Sequence, residues 1–157
     1  GFPDESESDF EELKSFIDSL GHEVKDFGPH EFDPEDDYPD FMFPAAHAVA
    51  AGDCQAGIIL GGSGNGEAMA ANRIKGVRAA VFYSPAIAVT AVDAEGNMSD
   101  DPYEIVKLSR QHNDANVLSL SGRFLTLEQM KEAIKIWLDT PFSGVDRHSR
   151  RIKKLDQ

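Results

Sequence analysis

The 157-residue chain has one cysteine, few basic residues and no long apolar run, and each shortage narrows what the protein can be. The single Cys54 excludes an internal disulfide and fits a reducing compartment, so we expect a cytoplasmic protein. No stretch reaches the ~18 apolar residues of a membrane span and no signal-peptide pattern is visible, so we expect no membrane partner. The net charge of −13 argues against nucleic acid as a partner.

The remaining composition is typical of one globular domain, with 41% hydrophobic and 27% charged residues. We therefore expect a single domain over residues 1–157, with residues 1–8 flexible and residues 145–157 forming a C-terminal helix or tail. His22, His30 and His47 share no ligand spacing. The sequence therefore predicts no metal site, and we expect no cofactor.

Short apolar runs alternate with helical patterns along most of the chain. The predicted strands cover 22–27, 56–60, 77–83 and 117–120, and the predicted helices cover 8–20, 38–52, 67–72, 103–112, 126–138 and a last segment from about 145. The first helix is expected to begin at Ser8, since Ser8-Asp9-Phe10-Glu11 resembles a capping box. This alternation predicts an α/β fold, a three-layer α/β/α Rossmann-like doubly wound parallel sheet, which binds ligands at the carboxyl ends of its strands.

A glycine-rich loop follows the strand at 56–60. Its glycines are Gly61, Gly62, Gly64 and Gly66. Such a loop lets backbone N–H groups approach a ligand, and Glu67, in the first turn of the next helix, can move protons. The loop has neither the dinucleotide-binding spacing nor the Gly-Lys-Ser/Thr ending of a P-loop. A tight turn without a ligand is the alternative, and the helix dipole alone also explains Glu67.

Two further segments carry side chains suited to chemistry. Arg147 and Arg151 are four residues apart, so on a helix both point the same way and can hold a phosphate. A solvated cationic face is the alternative. His112 and Asn113 stand at a helix end just before a strand, where they can move a proton and donate an amide N–H, or simply cap the helix.

Taken in order, these pieces resemble the ribose-5-phosphate isomerase B family and its galactose-6-phosphate isomerase relatives. The resemblance runs from Leu13 to the C-terminus. It is carried by Leu20-Gly21-His22-Glu23-Val24, Asp37-Tyr38-Pro39-Asp40, Gly61 to Asn72, Gly76-Val77-Arg78-Ala79-Ala80, His112-Asn113-Asp114-Ala115-Asn116-Val117 and Arg147-His148-Ser149-Arg150-Arg151. It implies an aldose–ketose isomerase of the pentose phosphate pathway, acting without a metal and converting ribose 5-phosphate to ribulose 5-phosphate through an enediolate.

The resemblance also implies roles for particular residues. Glu67 would be the base, because the other branch of the family has a cysteine base at the position of Gly61. His112 would assist opening of the sugar ring, and Asn113 would help the loop N–H groups hold the enediolate oxygen. The further site residues implied are the catalytic Ser63 and the substrate-binding Gly62, Gly64, Asn65, Gly66, Tyr38, Arg123, Arg147, His148 and Arg151. In the family the tail arginines reach into a partner's site, which implies a homodimer or tetramer.

The chain departs from the family pattern in two places. The family begins with a strand ending in substrate-binding Asp and His residues, and we expect this sequence to start just after that motif. In the expected order 2-1-3-4-5, that strand would stand between the strands at 22–27 and 56–60. Extra length between Ala88 and Lys107 could reshape substrate choice or the dimer surface. The alternatives at this point are an isomerase of six-carbon sugar phosphates, a non-catalytic sugar-phosphate-binding protein and a nucleotide-binding domain.

Overall fold

The alternating pattern folds into a parallel sheet covered by helices in the computed structural model, which describes residues 3–28 and 39–157. Its elements are α1 (Pro3–Ser19), α2 (Pro39–Ala50), β1 (Gly57–Gly61), α3 (Asn65–Ala71), β2 (Ala79–Phe82), α4 (Glu104–Gln111), β3 (Val117–Ser121), α5 (Leu127–Asp139) and α6 (Asp146–Lys153). These bounds confirm the predicted strands at 56–60, 77–83 and 117–120 and the helices that follow them. No helix of the described residues is long and apolar enough to cross a membrane.

The described sheet has three parallel strands in the order β1-β3-β2, so the last strand is central. The expected order, with the strand at 77–83 beside that at 56–60, is therefore wrong. The reason is burial: all five residues of β3 are buried, whereas β1 and β2 are mostly half-buried. The central strand has neighbours on both edges and helices on both faces, so the segment whose residues are all buried lies at the centre of the sheet.

The two faces of the sheet carry separate apolar clusters, which makes the predicted three layers. On one face α1, α4 and α5 pack on Leu118 and Leu120, with Trp137 and Ile134 fully buried. On the other face α2 and α3 pack on Val117 and the neighbouring strands. Alternate residues of β3 thus face opposite layers, as the two-residue period of a strand requires.

Two predictions for the amino-terminal part of the chain, the start of the first helix and the strand at 22–27, are wrong. Helix α1 begins at Pro3 rather than Ser8, because proline and the acidic residues after it are favoured in a first helical turn. Residues 22–28 form no strand in the described structure. No described strand lies beside this segment, so its backbone has no ladder to join. It is tied to α1 instead, where Lys14 Nζ lies 3.1 Å from an Asp26 carboxylate oxygen.

Candidate active site

The glycine-rich loop between β1 and α3 is fixed by the central strand. Gly64 has a φ of 80°, and its carbonyl accepts a 2.8 Å hydrogen bond from the fully buried Ser119 hydroxyl. A Cβ at Gly64 would lie 2.9 Å from that hydroxyl, so the backbone conformation and the close approach both require glycine. Ser63 Oγ accepts a hydrogen bond from the Asn65 N–H, and the Tyr83 hydroxyl donates to Asn65 Oδ1.

This loop leaves hydrogen-bond donors unused. The N–H groups of Gly62, Gly64 and Gly66 donate to no group in the described part of the chain. Donors held in place before a ligand arrives can stabilise negative charge that develops in a reaction. The loop therefore has the donors expected of an oxyanion site.

The Glu67 carboxylate lies against the end of β1. A Cβ added to Gly61 would lie 2.3 Å from Glu67 Oε1 and 2.7 Å from Oε2, so the carboxylate occupies the space of a side chain at position 61. Glu67 is half-buried and has neither a hydrogen bond nor an ion pair with a described residue. Among the described residues nothing competes for its two oxygens, so either can take a proton from a bound molecule.

Arg123 supplies a positive charge at the same end of the sheet. The Gly122 N–H donates to the Gly61 carbonyl at 2.7 Å and the Arg123 N–H to the Gly62 carbonyl at 3.1 Å, which joins the loops after β1 and β3. A Cβ at Gly62 would lie 3.2 Å from the Arg123 guanidinium carbon, so this side chain lies over Gly62. The carboxyl end of the sheet thus combines a carboxylate, N–H donors and a cation, and the carboxylate and these donors have no hydrogen-bond partner in the described part of the chain.

A second group of polar residues lies at the amino end of β3. The His112 ring, just after α4, stacks on the His148 ring of α6 with centroids 4.3 Å apart and an angle of 15° between planes. His148 is only 8% exposed. Burial is the main reason why the pKa of His148 lies below its ordinary value of 6.5, and the neighbouring His112, Arg147 and Arg151 lower it further.

The turn that carries His112 and Asn113 is anchored by Asp114. This residue has a φ of 46°, which is unusual outside glycine. Its carboxylate lies 2.9 Å from Arg110 Nη1 and 3.4 Å from Arg78 Nη2. Two arginine contacts thus hold a left-handed turn and fix where His112 and Asn113 stand.

Helix α6 brings two arginines to this end of the molecule. Arg147 and Arg151, one helical turn apart, lie on the same side of α6 as predicted. Arg147 Nη2 lies 3.4 Å from Glu95 Oε1, from the segment between β2 and α4. A cavity of about 390 Å³ is lined by Arg147, Glu95 and the His112–His148 pair.

The structure divides the predicted site residues between two ends of the sheet. The carboxyl end holds Gly62, Ser63, Gly64, Asn65, Gly66, Glu67 and Arg123, and the amino end holds His112, Asn113, Arg147, His148 and Arg151. The five-residue strand β3 lies between them and spans about 13 to 17 Å. Within one chain, Asn113 and the glycine-rich loop therefore lie at opposite ends of the sheet. Tyr38 lies outside the described residues.

Three residues that support these groups were not predicted: Ser119, Asp114 and Glu95. Ser119 had a visible signal, a hydroxyl within the apolar run Val117-Leu118-Ser119-Leu120. A buried hydroxyl needs a partner, and in this case the partner is a loop carbonyl. Glu95 and Arg147 are 52 positions apart in the chain, so no local sequence pattern predicts their contact.

The fold and the two groups of residues define a class: a three-layer α/β/α protein with a glycine-rich loop and a glutamate carboxylate at the carboxyl ends of its strands. The family model described as Ribose/Galactose Isomerase matches residues 6–98 and 100–155. The chain belongs to this family.

Individual relatives agree with the family match. The ribose-5-phosphate isomerase B of Mycobacterium tuberculosis is 36% identical over 139 residues, which cover 88% of this chain and 75% of that protein. The solved structure of the Clostridium thermocellum ribose-5-phosphate isomerase B superposes with a TM-score of 0.78 at 34% identity, covering 95% of this chain and 87% of that one. The Mycoplasma genitalium enzyme, solved with bound ribulose-5-phosphate, gives a TM-score of 0.78 at 35% identity, covering 94% and 86%.

Proposed function

We propose that this protein is an aldose–ketose isomerase that converts ribose 5-phosphate to ribulose 5-phosphate through an enediolate, with Glu67 as the base. The observation that carries the proposal is the Glu67 carboxylate, which lies against Gly61 without a partner among the described residues. Family membership and the relative that binds ribulose-5-phosphate support the substrate.

The chemistry moves the proton of the C2 hydroxyl to the C1 oxygen, and at carbon it needs one proton removed from C2 of the sugar and one delivered to C1. A single carboxylate over the C1–C2 bond does both transfers at carbon, and no described residue occupies the two oxygens of Glu67. The C1 oxygen becomes negative in the enediolate. The free N–H groups of Gly62, Gly64 and Gly66 are the donors that stabilise this charge, and Ser63 lies among them.

The complete site is proposed to form between two copies of the chain. The two groups of residues lie at opposite ends of the sheet, so one chain cannot close both around one small sugar. In a homodimer, or a tetramer of such dimers, Glu67 and Arg123 of one chain face His112, Asn113 and the arginines of α6 of the partner subunit. His112 then assists ring opening, and Arg123, Arg147 and Arg151 hold the phosphate dianion.

The cellular setting follows from the substrate. Pentose phosphates are charged metabolites that do not cross membranes unaided, and the chain has a single cysteine. We therefore place the enzyme in the cytoplasm and in the pentose phosphate pathway.

A six-carbon sugar phosphate is the second candidate substrate. The family description includes galactose isomerases, and the segment between β2 and α4 brings Glu95 to the cavity at Arg147. Comparing kcat/KM for ribose 5-phosphate and for six-carbon aldose phosphates decides between the two. A higher value for a six-carbon substrate would replace the pentose in this proposal.

The test of the base is Glu67→Gln, which keeps the size of the side chain and removes its basicity. Turnover should fall by about a hundredfold or more, with the unfolding midpoint nearly unchanged. Glu128→Gln is the matched control, because Glu128 also lies in the first turn of a helix, where its exposed carboxylate lies 3.6 Å from Lys131 Nζ. If Glu67 only served the helix dipole, both variants would lose a little stability and neither would lose activity.

The same variant tests the shared site. Unfolded and refolded together in equal amounts, Glu67→Gln and His112→Gln chains form heterodimers that carry one intact site each. A symmetric dimer should then recover about a quarter of wild-type activity, although each variant alone is nearly inactive. No recovery from a mixture shown to contain heterodimers would mean that Glu67 and His112 do not act in one shared site.

A further inference from the structure

The segment between β2 and α4 contains a short closed loop that presents one carboxylate. The Val92 N–H donates to the Asn97 carbonyl at 2.8 Å, which closes the loop. The Asp93 carboxylate accepts the N–H groups of Glu95 and Asn97, each at 3.0 Å, and the Asn97 side-chain amide at 2.7 Å. The Asp93 carboxylate therefore stabilises the loop, and Glu95 projects from a backbone conformation that these four hydrogen bonds hold.

Glu95 faces Arg147 rather than open solvent alone. Its Oε1 lies 3.4 Å from Arg147 Nη2, with 59% of the Glu95 side chain and 33% of the Arg147 side chain exposed. The other N–H donors of this guanidinium have no partner among the described residues. Glu95 and Arg147 both line the cavity at His112, so Glu95 pairs with this cation at the cavity wall.

We propose that Glu95 sets the affinity of the enzyme for phosphate groups by acting as an intramolecular counter-ion of Arg147. The inference rests on the proposed function, in which Arg147 binds the substrate phosphate. A phosphate dianion arriving at Arg147 meets a carboxylate of the same charge sign, which it must displace or tolerate. Either event makes phosphate binding weaker than it would be at a free arginine.

The opposite role for Glu95, orienting Arg147 towards the phosphate, is physically reasonable, and it predicts the opposite effect on phosphate affinity. A carboxylate that only oriented Arg147 would make phosphate binding tighter, and its removal would raise KM. The contact favours the counter-ion role, because a single 3.4 Å contact between partly exposed groups orients a guanidinium poorly. The repulsion between carboxylate and phosphate does not depend on such alignment.

The test uses Glu95→Gln in the full chain, a change that keeps the side-chain size and an acceptor oxygen but removes the charge. Both the KM for ribose 5-phosphate and the dissociation constant for inorganic phosphate should fall by about twofold to fivefold, with kcat unchanged. Calorimetric titration with inorganic phosphate gives the second value without any turnover. Both differences should shrink as ionic strength rises, since the groups are partly exposed.

Asp100→Asn is the matched control, since Asp100 is an exposed carboxylate of the same segment without an ion pair to Arg147. Removing this charge should leave both constants unchanged. An equal effect of both variants would show that only net charge matters and would overturn the inference. An increased or unchanged phosphate dissociation constant in Glu95→Gln would also overturn it.

The outcomes separate the inference from the proposed function. If the wild-type protein isomerises no sugar phosphate while Glu95→Gln still binds inorganic phosphate more tightly, the proposed function fails and the counter-ion stands. If the wild type is active and Glu95→Gln binds phosphate as the wild type does, the counter-ion role alone fails.

Discussion

A methyl group added at Gly61 should remove activity without removing the fold. In Gly61→Ala the new Cβ would lie 2.3 Å from Glu67 Oε1 and 2.4 Å from its Cδ, far inside contact distance. The φ of Gly61 is not in the left-handed region, so the backbone accepts alanine. The three nearest atoms all belong to the carboxyl group of a half-buried, flexible side chain, which can turn away.

The size of the effect follows from these distances. Ordinary contact between a carbon and another heavy atom lies at about 3.5 to 4.0 Å, so the carboxylate must move by more than about 1 Å. A displacement of about 1 Å at a reacting group costs up to about a hundredfold in rate. Because Glu67 has no partner to lose among the described residues, the free energy of unfolding should change by less than about 0.5 kcal/mol.

The assay measures kcat of Gly61→Ala on ribose 5-phosphate beside urea denaturation of the same preparation. Gly57→Ala is the control, since it adds the same methyl group at the other end of β1, 3.2 Å from Val49 and 3.3 Å from Val117. That variant should lose stability, about 1 to 3 kcal/mol from overpacking, and keep its kcat.

The two glycine variants should therefore show opposite patterns. Wild-type turnover in a folded Gly61→Ala protein would refute the placement of the base, because the carboxylate cannot keep its position beside the added methyl group. Loss of activity together with loss of the folded state would contradict the claim that only Glu67 needs to move.

The other two predictions concern Ser119, which supports the glycine-rich loop, and His148, which stacks on His112. Ser119→Ala removes the hydroxyl that donates to the Gly64 carbonyl, so urea denaturation should show a loss of about 1 kcal/mol and turnover should fall as the loop loosens; unchanged values of both would contradict this support. The pKa of His148 is lower in the folded protein than its ordinary value of 6.5. As pH drops from 7.5 to 5.5, the unfolded chain therefore binds more protons at this residue than the folded protein does, and the stability of the fold should fall. His148→Gln should weaken this dependence of Tm on pH, and parallel profiles for the two proteins would disprove the contribution of His148.

Element type and approximate position were readable from local patterns. Thr126 and Gln129 form the capping box at the start of α5, with hydrogen bonds of 3.1 and 2.9 Å, where the sequence places a helix start. The glycine-rich loop and Glu67 were also identifiable, because glycine content and position in the first helical turn are local properties.

The segment at 22–27 shows where local patterns fail. Its residues favour a strand, but no strand forms there, because a strand exists only when a neighbour shares its hydrogen bonds. Strand order also depends on which elements lie side by side in the fold. β3 takes the centre because its neighbours bury it on every side, and that depends on all the elements together.

The sequence by itself determined the α/β class, the glycine-rich loop, the candidate base and the arginine pair, because each depends on residues close together in the chain. The tertiary structure decided which of these residues stand together. It placed Glu67 in the space above Gly61 and put His112, Arg147 and Glu95 at the other end of the sheet. The physical reason is that distance across a fold depends on strand order and strand direction, which no short stretch of sequence records.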